Sequence, residues 1–290
     1  MQASSENYME DMVYPSITDS IILCVLIAFF QIVMGISIVI FEIIYKQIDT
    51  SDISLIISFL IVLTSMVSVA IVLLIGFKKS ERKFNEVFKF NAVSPFLWMA
   101  AIVFMIGFVI VMSGLNNLLI HILPVLKLSR NQSNALETLA SSKQIFIIAV
   151  IFVGILPAFI EEMFFRGLVL GSLNINYSKK KAIIISALLF GIIHLNLLQF
   201  LTAFIIGLFA AWICINTNSI LLCIYMHLFN NVLFTIIARY QNLIPLEGGN
   251  AMNAEIIKFQ PLWLDLTGLA IFGLGIYLLK IGFNKAKINA

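Results

Sequence analysis

The sequence predicts an all-α polytopic membrane protein with about eight transmembrane helices. Composition and the distribution of apolar residues both point there. Of the 290 residues, 61% are apolar and only 11% are charged, whereas about a quarter of a soluble domain is charged. The apolar residues gather in runs long enough to cross roughly 30 Å of hydrocarbon.

Taken in order, the runs predict spans at 21–45, 55–77, 96–120, 145–173, 182–198, 199–215, 219–239 and 262–282. Residues 182–215 form one uninterrupted apolar stretch, which we divide at Asn196 and Gln199 into two short helices. No linker or internal repeat divides the chain, so residues 1–290 are expected to form one integral membrane domain. Residues 145–240 are its core and residues 1–20 a polar cytoplasmic N-terminus. That N-terminus lacks Lys and Arg, the wrong flank for a cleavable signal.

Basic residues orient the spans. Eleven Lys and Arg fall in loops 78–91 and 174–181 and at the C-terminal end, against six in the opposite loops. This bias predicts that both termini are cytoplasmic, in a multi-pass protein of the cell membrane. The net charge of +3 is dispersed over loops and forms no stripe on one element, which argues against a nucleic-acid partner. Cys24, Cys214 and Cys223 all lie within apolar runs and read as small packed hydrophobes. The segment from Phe84 to Phe96 mixes Phe with charge and is expected to lie along the cytoplasmic interface. Residues 121–143 are polar, on the opposite side.

Against this background the stretch FIEEMFFRG, residues 159–167, is costly to bury. Glu161 and Glu162 are the only acids deep within a span, and an intramembrane charge is by default a functional-site hypothesis. Glu162 and Arg166 stand four residues apart with the acid first, the order that lets them pair along one helix face. Glu161 points about 100° away around the helix and needs a partner elsewhere. His194 and His227 supply candidates, with Asn231 four residues after His227. On a rise of 1.5 Å per residue, Glu161, His194 and Asn231 lie roughly 18 Å deep and His227 about 12 Å. Asn230 faces another way, and His121, at the end of the third span, reads as an interfacial residue. Gly167 and Gly171 form a GxxxG that suits close helix contact. Pro157 is placed to loosen the helix just before the acids and open its carbonyls.

A carboxylate and an imidazole around a water can deprotonate it as it attacks a carbonyl. An imidazole N–H and an Asn amide can stabilise the resulting oxyanion. Glu161, His194, His227 and Asn231 provide this inventory. The same Glu/His set could instead hold Zn²⁺. There is no H-E-x-x-H and no pair of intramembrane aspartates, since Asp265 stands alone. A transporter using Glu161 and Glu162 as a proton site would be expected to show inverted repeats, yet the intramembrane charges occupy one half only.

The spacing resembles a known family. E-E-x-x-x-R is present as Glu161, Glu162 and Arg166; F-x-x-x-H as Phe190 and His194; H-x-x-x-N as His227 and Asn231. These three motifs, in this order on separate spans, are similar to those of the CPBP (CAAX prenyl protease and bacteriocin-processing, or ABI) intramembrane proteases. The resemblance covers about residues 145–240. It implies that Glu161 and His194 activate water and that His227 and Asn231 form the oxyanion hole. It further implies that Glu162 and Arg166 support the site and that Phe190 packs beside it. No cofactor is favoured; the zinc alternative would use Glu161, His194 and His227. The implied partner is a membrane-associated protein or peptide in the lipid bilayer: a CAAX-like tail, a peptide precursor or a bacteriocin-related peptide. A non-hydrolytic immunity or regulatory role in the same family is the alternative. The Ile-, Lys- and Asn-rich composition suits a bacterial source.

Overall fold

The computed structural model describes residues 12–45, 51–123, 138–139, 142, 145–240 and 259–288. Most of the polar 121–143 segment, and residues 1–11 of the N-terminal tail, lie outside them. The described residues form helices and contain no strand.

The helices are α1 (Ile17–Tyr45), α2 (Ser51–Lys79), the short α3 (Phe84–Val87), α4 (Pro95–Ile122), α5 (Phe146–Asn176), α6 (Lys179–Ile192), α7 (Leu197–Thr217), α8 (Leu221–Tyr240) and α9 (Leu262–Ile288). Their ends follow local chemistry. Pro95 opens α4, where a missing N–H costs nothing. The Ser178 side chain caps α6 by accepting from Lys181 N. Asn196 caps α7, accepting from Leu198 N and Gln199 N at 3.1 Å each. Asn218 closes α7 in the left-handed conformation, φ 50°.

Seven of these helices are long and apolar enough to cross a membrane. The predicted span 182–198 is corrected. The helix there, α6, has 14 residues, roughly 21 Å at 1.5 Å per residue, which is short of the hydrocarbon thickness. The division near Asn196 holds. An unbroken apolar run does not reveal that its first helix stops at Ile192.

Small residues set the packing. A Cβ on Gly107 would strike the Phe272 backbone, and one on Gly275 the Phe104 backbone. Gly114 faces Asp265 and Gly282 faces Leu97, so α4 and α9 run antiparallel with backbones in close approach. Gly191 against Phe200 and Gly207 against Ala187 make α6 and α7 an antiparallel hairpin. The GxxxG expectation holds only in part. Gly167 faces the Phe88 ring, where a Cβ would lie 2.6 Å from Cδ1, whereas Gly171 meets only the Arg166 carbonyl of its own helix.

The segment around α3 is not purely interfacial. Val87 and Phe88 are buried in the core, while Phe84 and Phe90 remain exposed. Its backbone is fastened to the α7–α8 turn: Ile220 N donates to Lys89 O (2.9 Å) and Ser219 Oγ to Asn91 O (2.7 Å). At the same end of the bundle Arg82 donates to Ser172 Oγ (3.2 Å), Lys79 pairs with Asp19 (3.8 Å) and Asn176 Nδ2 donates to Val13 O (2.7 Å). Lys285 sits over the Phe96 ring at 5.1 Å. The α6–α7 hairpin therefore starts and finishes at the end that also holds Val13 and Lys285.

Candidate active site

The site is built on α5, and α5 is not a uniform α-helix. Val150–Ile155 and Met163–Val169 form wider, π-helical turns on either side of Leu156–Glu162. Pro157, without an N–H and with a ring that crowds the carbonyl four residues back, stands at the first change of register. π-Helical turns recur at functional sites, and here they bracket the two glutamates.

Glu162 and Arg166 pair as the spacing predicts. Arg166 Nη1 lies 2.9 Å from Glu162 Oε1, and both side chains are 1% exposed. The guanidinium also stacks over the Phe190 ring, 4.4 Å from its centroid. Glu162 has a second partner, which the spacing does not predict: His227 Nδ1 is 3.0 Å from the same Oε1. A carboxylate oxygen only accepts, so Nδ1 carries the proton. The other ring nitrogen, Nε2, faces Glu161 Oε2 at 3.9 Å. Glu161 thus finds its partner on α8.

Phe190 is a hub rather than a bystander. Its ring meets His194 edge-to-face at 5.1 Å, His227 at 5.8 Å and Phe165 at 5.0 Å. His194 does not lie within a helix, as the predicted span 182–198 required; it sits in the turn after α6. Its Nδ1–H donates to Phe190 O (2.8 Å), which leaves Nε2 with a free lone pair. The next residue, Leu195, takes the left-handed conformation, φ 51°, at a cost of about 1–2 kcal/mol. Among the described residues His194 makes no ion pair with Glu161; Phe190 connects it to the cluster. Asn231 lies on the α8 face next to α5, where its Nδ2 donates to Val153 O (3.3 Å).

Glu162, Arg166, Phe190 and His227 line a small cavity of about 10 Å³, with Ile206, Ala210, Cys223 and Met226 completing the wall. That is close to the space of a single water. Glu161 Oε2 and Glu162 Oε2 are buried and accept no hydrogen bond from the described residues. Each is an open acceptor in a layer where unsatisfied polar groups are costly. Among the described residues no group of three or more His, Cys, Asp or Glu side chains is placed to hold a metal ion. The wall residues from α7 carry no signal in the sequence. Cys223 does, since it precedes His227 by four residues and so shares its face.

Fold and site together define a polytopic helical membrane protein with a carboxylate–imidazole cluster inside its bundle. Residues 143–233, which hold all three motifs, match the family described as Type II CAAX prenyl endopeptidase Rce1-like. This segment is thereby similar to the CPBP/ABI family of CAAX-type intramembrane proteases. No curated protein and no solved structure matches the chain.

Proposed function

We propose that the protein is an intramembrane endopeptidase that hydrolyses a peptide bond with an activated water and no covalent intermediate. Its substrate is a membrane-associated protein or peptide. The reading rests on one observation above the others: Glu161 and Glu162 both turn open carboxylate oxygens into a buried polar layer beside His227.

Glu161 takes a proton from water as the water oxygen bonds to the scissile carbonyl carbon. His194 assists through Nε2, which its Nδ1–H bond to Phe190 O keeps available as an acceptor. The carbonyl oxygen becomes an alkoxide, received by Asn231 and His227. As the intermediate collapses the C–N bond breaks, and the proton held by Glu161 passes to the leaving nitrogen. Glu162 fixes one constraint: because His227 gives Nδ1–H to it, His227 donates to the oxyanion through Nε2 only when both ring nitrogens are protonated. With Nε2 unprotonated, the same ring orientation suits a metal ligand, so zinc is the second reading; it would need His194 to join Glu161 and His227, a grouping the described residues do not form.

The basic end of the bundle faces the cytoplasm in this reading, so both termini do as well. The test is cleavage of membrane peptides in cells carrying the wild-type chain or Glu161→Gln. This variant keeps size and most hydrogen bonding but removes the base. Normal accumulation with cleavage lowered at least about 10²-fold is expected. Full cleavage by Glu161→Gln would place the base elsewhere.

A further inference from the structure

The backbone of α5 positions one of the proposed donors. We propose that Pro157 is a positioning residue for Asn231: it withholds the N–H that would otherwise occupy the Val153 carbonyl, and that carbonyl holds the Asn231 amide instead. The inference rests on Asn231 acting as an oxyanion donor.

Three observations converge. In an α-helix the carbonyl of Val153 accepts from the N–H of residue 157, and a proline there has none to give. The π-helical turn just before it shifts pairing by one residue, as Leu156 N donating to Ile151 O shows. In that wider register Val153 O lies opposite the N–H of Ala158, so the donor that a proline at 157 removes is the nearer, α-register one. Second, Asn231 Nδ2 donates to Val153 O at 3.3 Å from the neighbouring helix. Third, Gly154 permits the approach: a Cβ there would lie 3.0 Å from Val232 Cγ2, with the Val232 backbone just behind. A proline gap and a glycine recess thus flank one carbonyl, and the side chain that reaches it is a motif residue.

The bond settles which way the amide points. Only an NH₂ group can donate to a carbonyl, so Val153 O fixes the Nδ2 side of the Asn231 amide, and Asn230 Nδ2 donates to Asn231 Oδ1 (3.4 Å) on the other. One Nδ2 hydrogen is thereby spent on Val153 and the second is held for the substrate. An alanine at 157 supplies an N–H that competes for Val153 O, and the Asn231 amide is then free to turn.

Kinetics of purified Pro157→Ala, Asn231→Ala and the double variant, with detergent melting temperatures, test this. Alanine favours helix, so Pro157→Ala is expected to melt no lower than wild type while kcat falls about tenfold with KM little changed, the signature of a lost transition-state contact. In the Asn231→Ala background Pro157→Ala should cost nothing further. Full kcat in Pro157→Ala, or losses that multiply in the double variant, would overturn the proposal while leaving the protease reading intact. Full activity in Asn231→Ala would overturn the donor role of Asn231 and the proposal with it.

Discussion

Glu162 Oε1 is shared between Arg166 Nη1 at 2.9 Å and His227 Nδ1 at 3.0 Å. One buried carboxylate oxygen therefore ties a helical turn of α5 to the α8 residue that faces Glu161. Of the two adjacent acids, Glu162 is the one held by both Arg166 and His227 at Oε1, and Glu161 the one that faces only His227 Nε2, at 3.9 Å; in the proposed reading the first supports the frame and the second does the chemistry.

That division predicts different phenotypes for the motif residues. Removing the guanidinium leaves the buried Glu162 without its main counter-charge, a loss of roughly 3–5 kcal/mol in soluble proteins. Arg166→Ala is expected to lower the detergent melting temperature and the yield of folded protein along with activity. Arg166→Lys should recover charge but not the stacking on Phe190, and melt between the two. If Arg166→Ala melted like wild type yet lost all activity, Arg166 would belong to the chemistry and not to the frame.

The α4–α9 pair makes a sharper stability prediction, because glycines on one helix differ in what faces them. Gly268 and Gly275 meet α4, whereas Gly273 has nothing within 4 Å. Gly275→Ala drives a methyl into the Phe104 backbone and is expected to lower the melting temperature by several degrees. Gly273→Ala should be neutral or slightly stabilising, as alanine usually is in a helix. Equal melting of the two variants would show that the close approach is not needed.

Orientation can be read with exposed positions at opposite ends of the bundle. Ser178 precedes α6 at the basic end, and Leu123 follows α4 at the other; the native Cys24, Cys214 and Cys223 are buried. An impermeant thiol reagent is expected to label Leu123→Cys in intact cells and Ser178→Cys only after the cytoplasmic side is opened. The reverse pattern would invert the topology. The α6–α7 hairpin does not disturb the count of sides, since it starts and finishes at one end whether or not α6 reaches across.

The sequence revealed the long helices because apolar runs in a membrane protein must approximate the hydrocarbon thickness; α1, α4 and α8 fall within a few residues of the spans read from hydropathy. It was less informative at 182–198, where hydropathy does not distinguish a helix ending at Ile192 from one continuing through His194. The residues of the cluster were legible from spacing, and the Glu162–Arg166 pair follows from helical periodicity alone. The Glu162–His227 bond does not, because it depends on how α8 is rotated against α5, a property of packing that no one-dimensional spacing contains. The π-helical turns were half legible. Pro157 announced a loosened helix, but not that Asn231 would donate to Val153 O from the neighbouring helix.

Metal dependence is decided by the donors that remain once each residue has its role. A catalytic zinc site needs three protein ligands and a water. If His227 and Asn231 serve the oxyanion, Glu161 and His194 are left, one ligand short. His227 cannot fill both roles, because a ring that binds zinc through Nε2 has no Nε2 proton to donate. Its Nδ1 is already engaged by Glu162 at 3.0 Å. Enzyme stripped of metal, and verified as metal-free by elemental analysis, is therefore expected to cleave substrate at the untreated rate. Zinc added to the stripped enzyme should not accelerate it. Loss of activity on stripping, restored by one equivalent of zinc, would make His227 a ligand, leave Asn231 as the remaining oxyanion donor and turn Glu162 into the residue that orients a metal-bound imidazole. The two outcomes also separate in His227→Gln. A glutamine N–H can still donate to an oxyanion, so the metal-free mechanism retains part of its rate. A zinc site that loses an imidazole ligand loses metal and activity together.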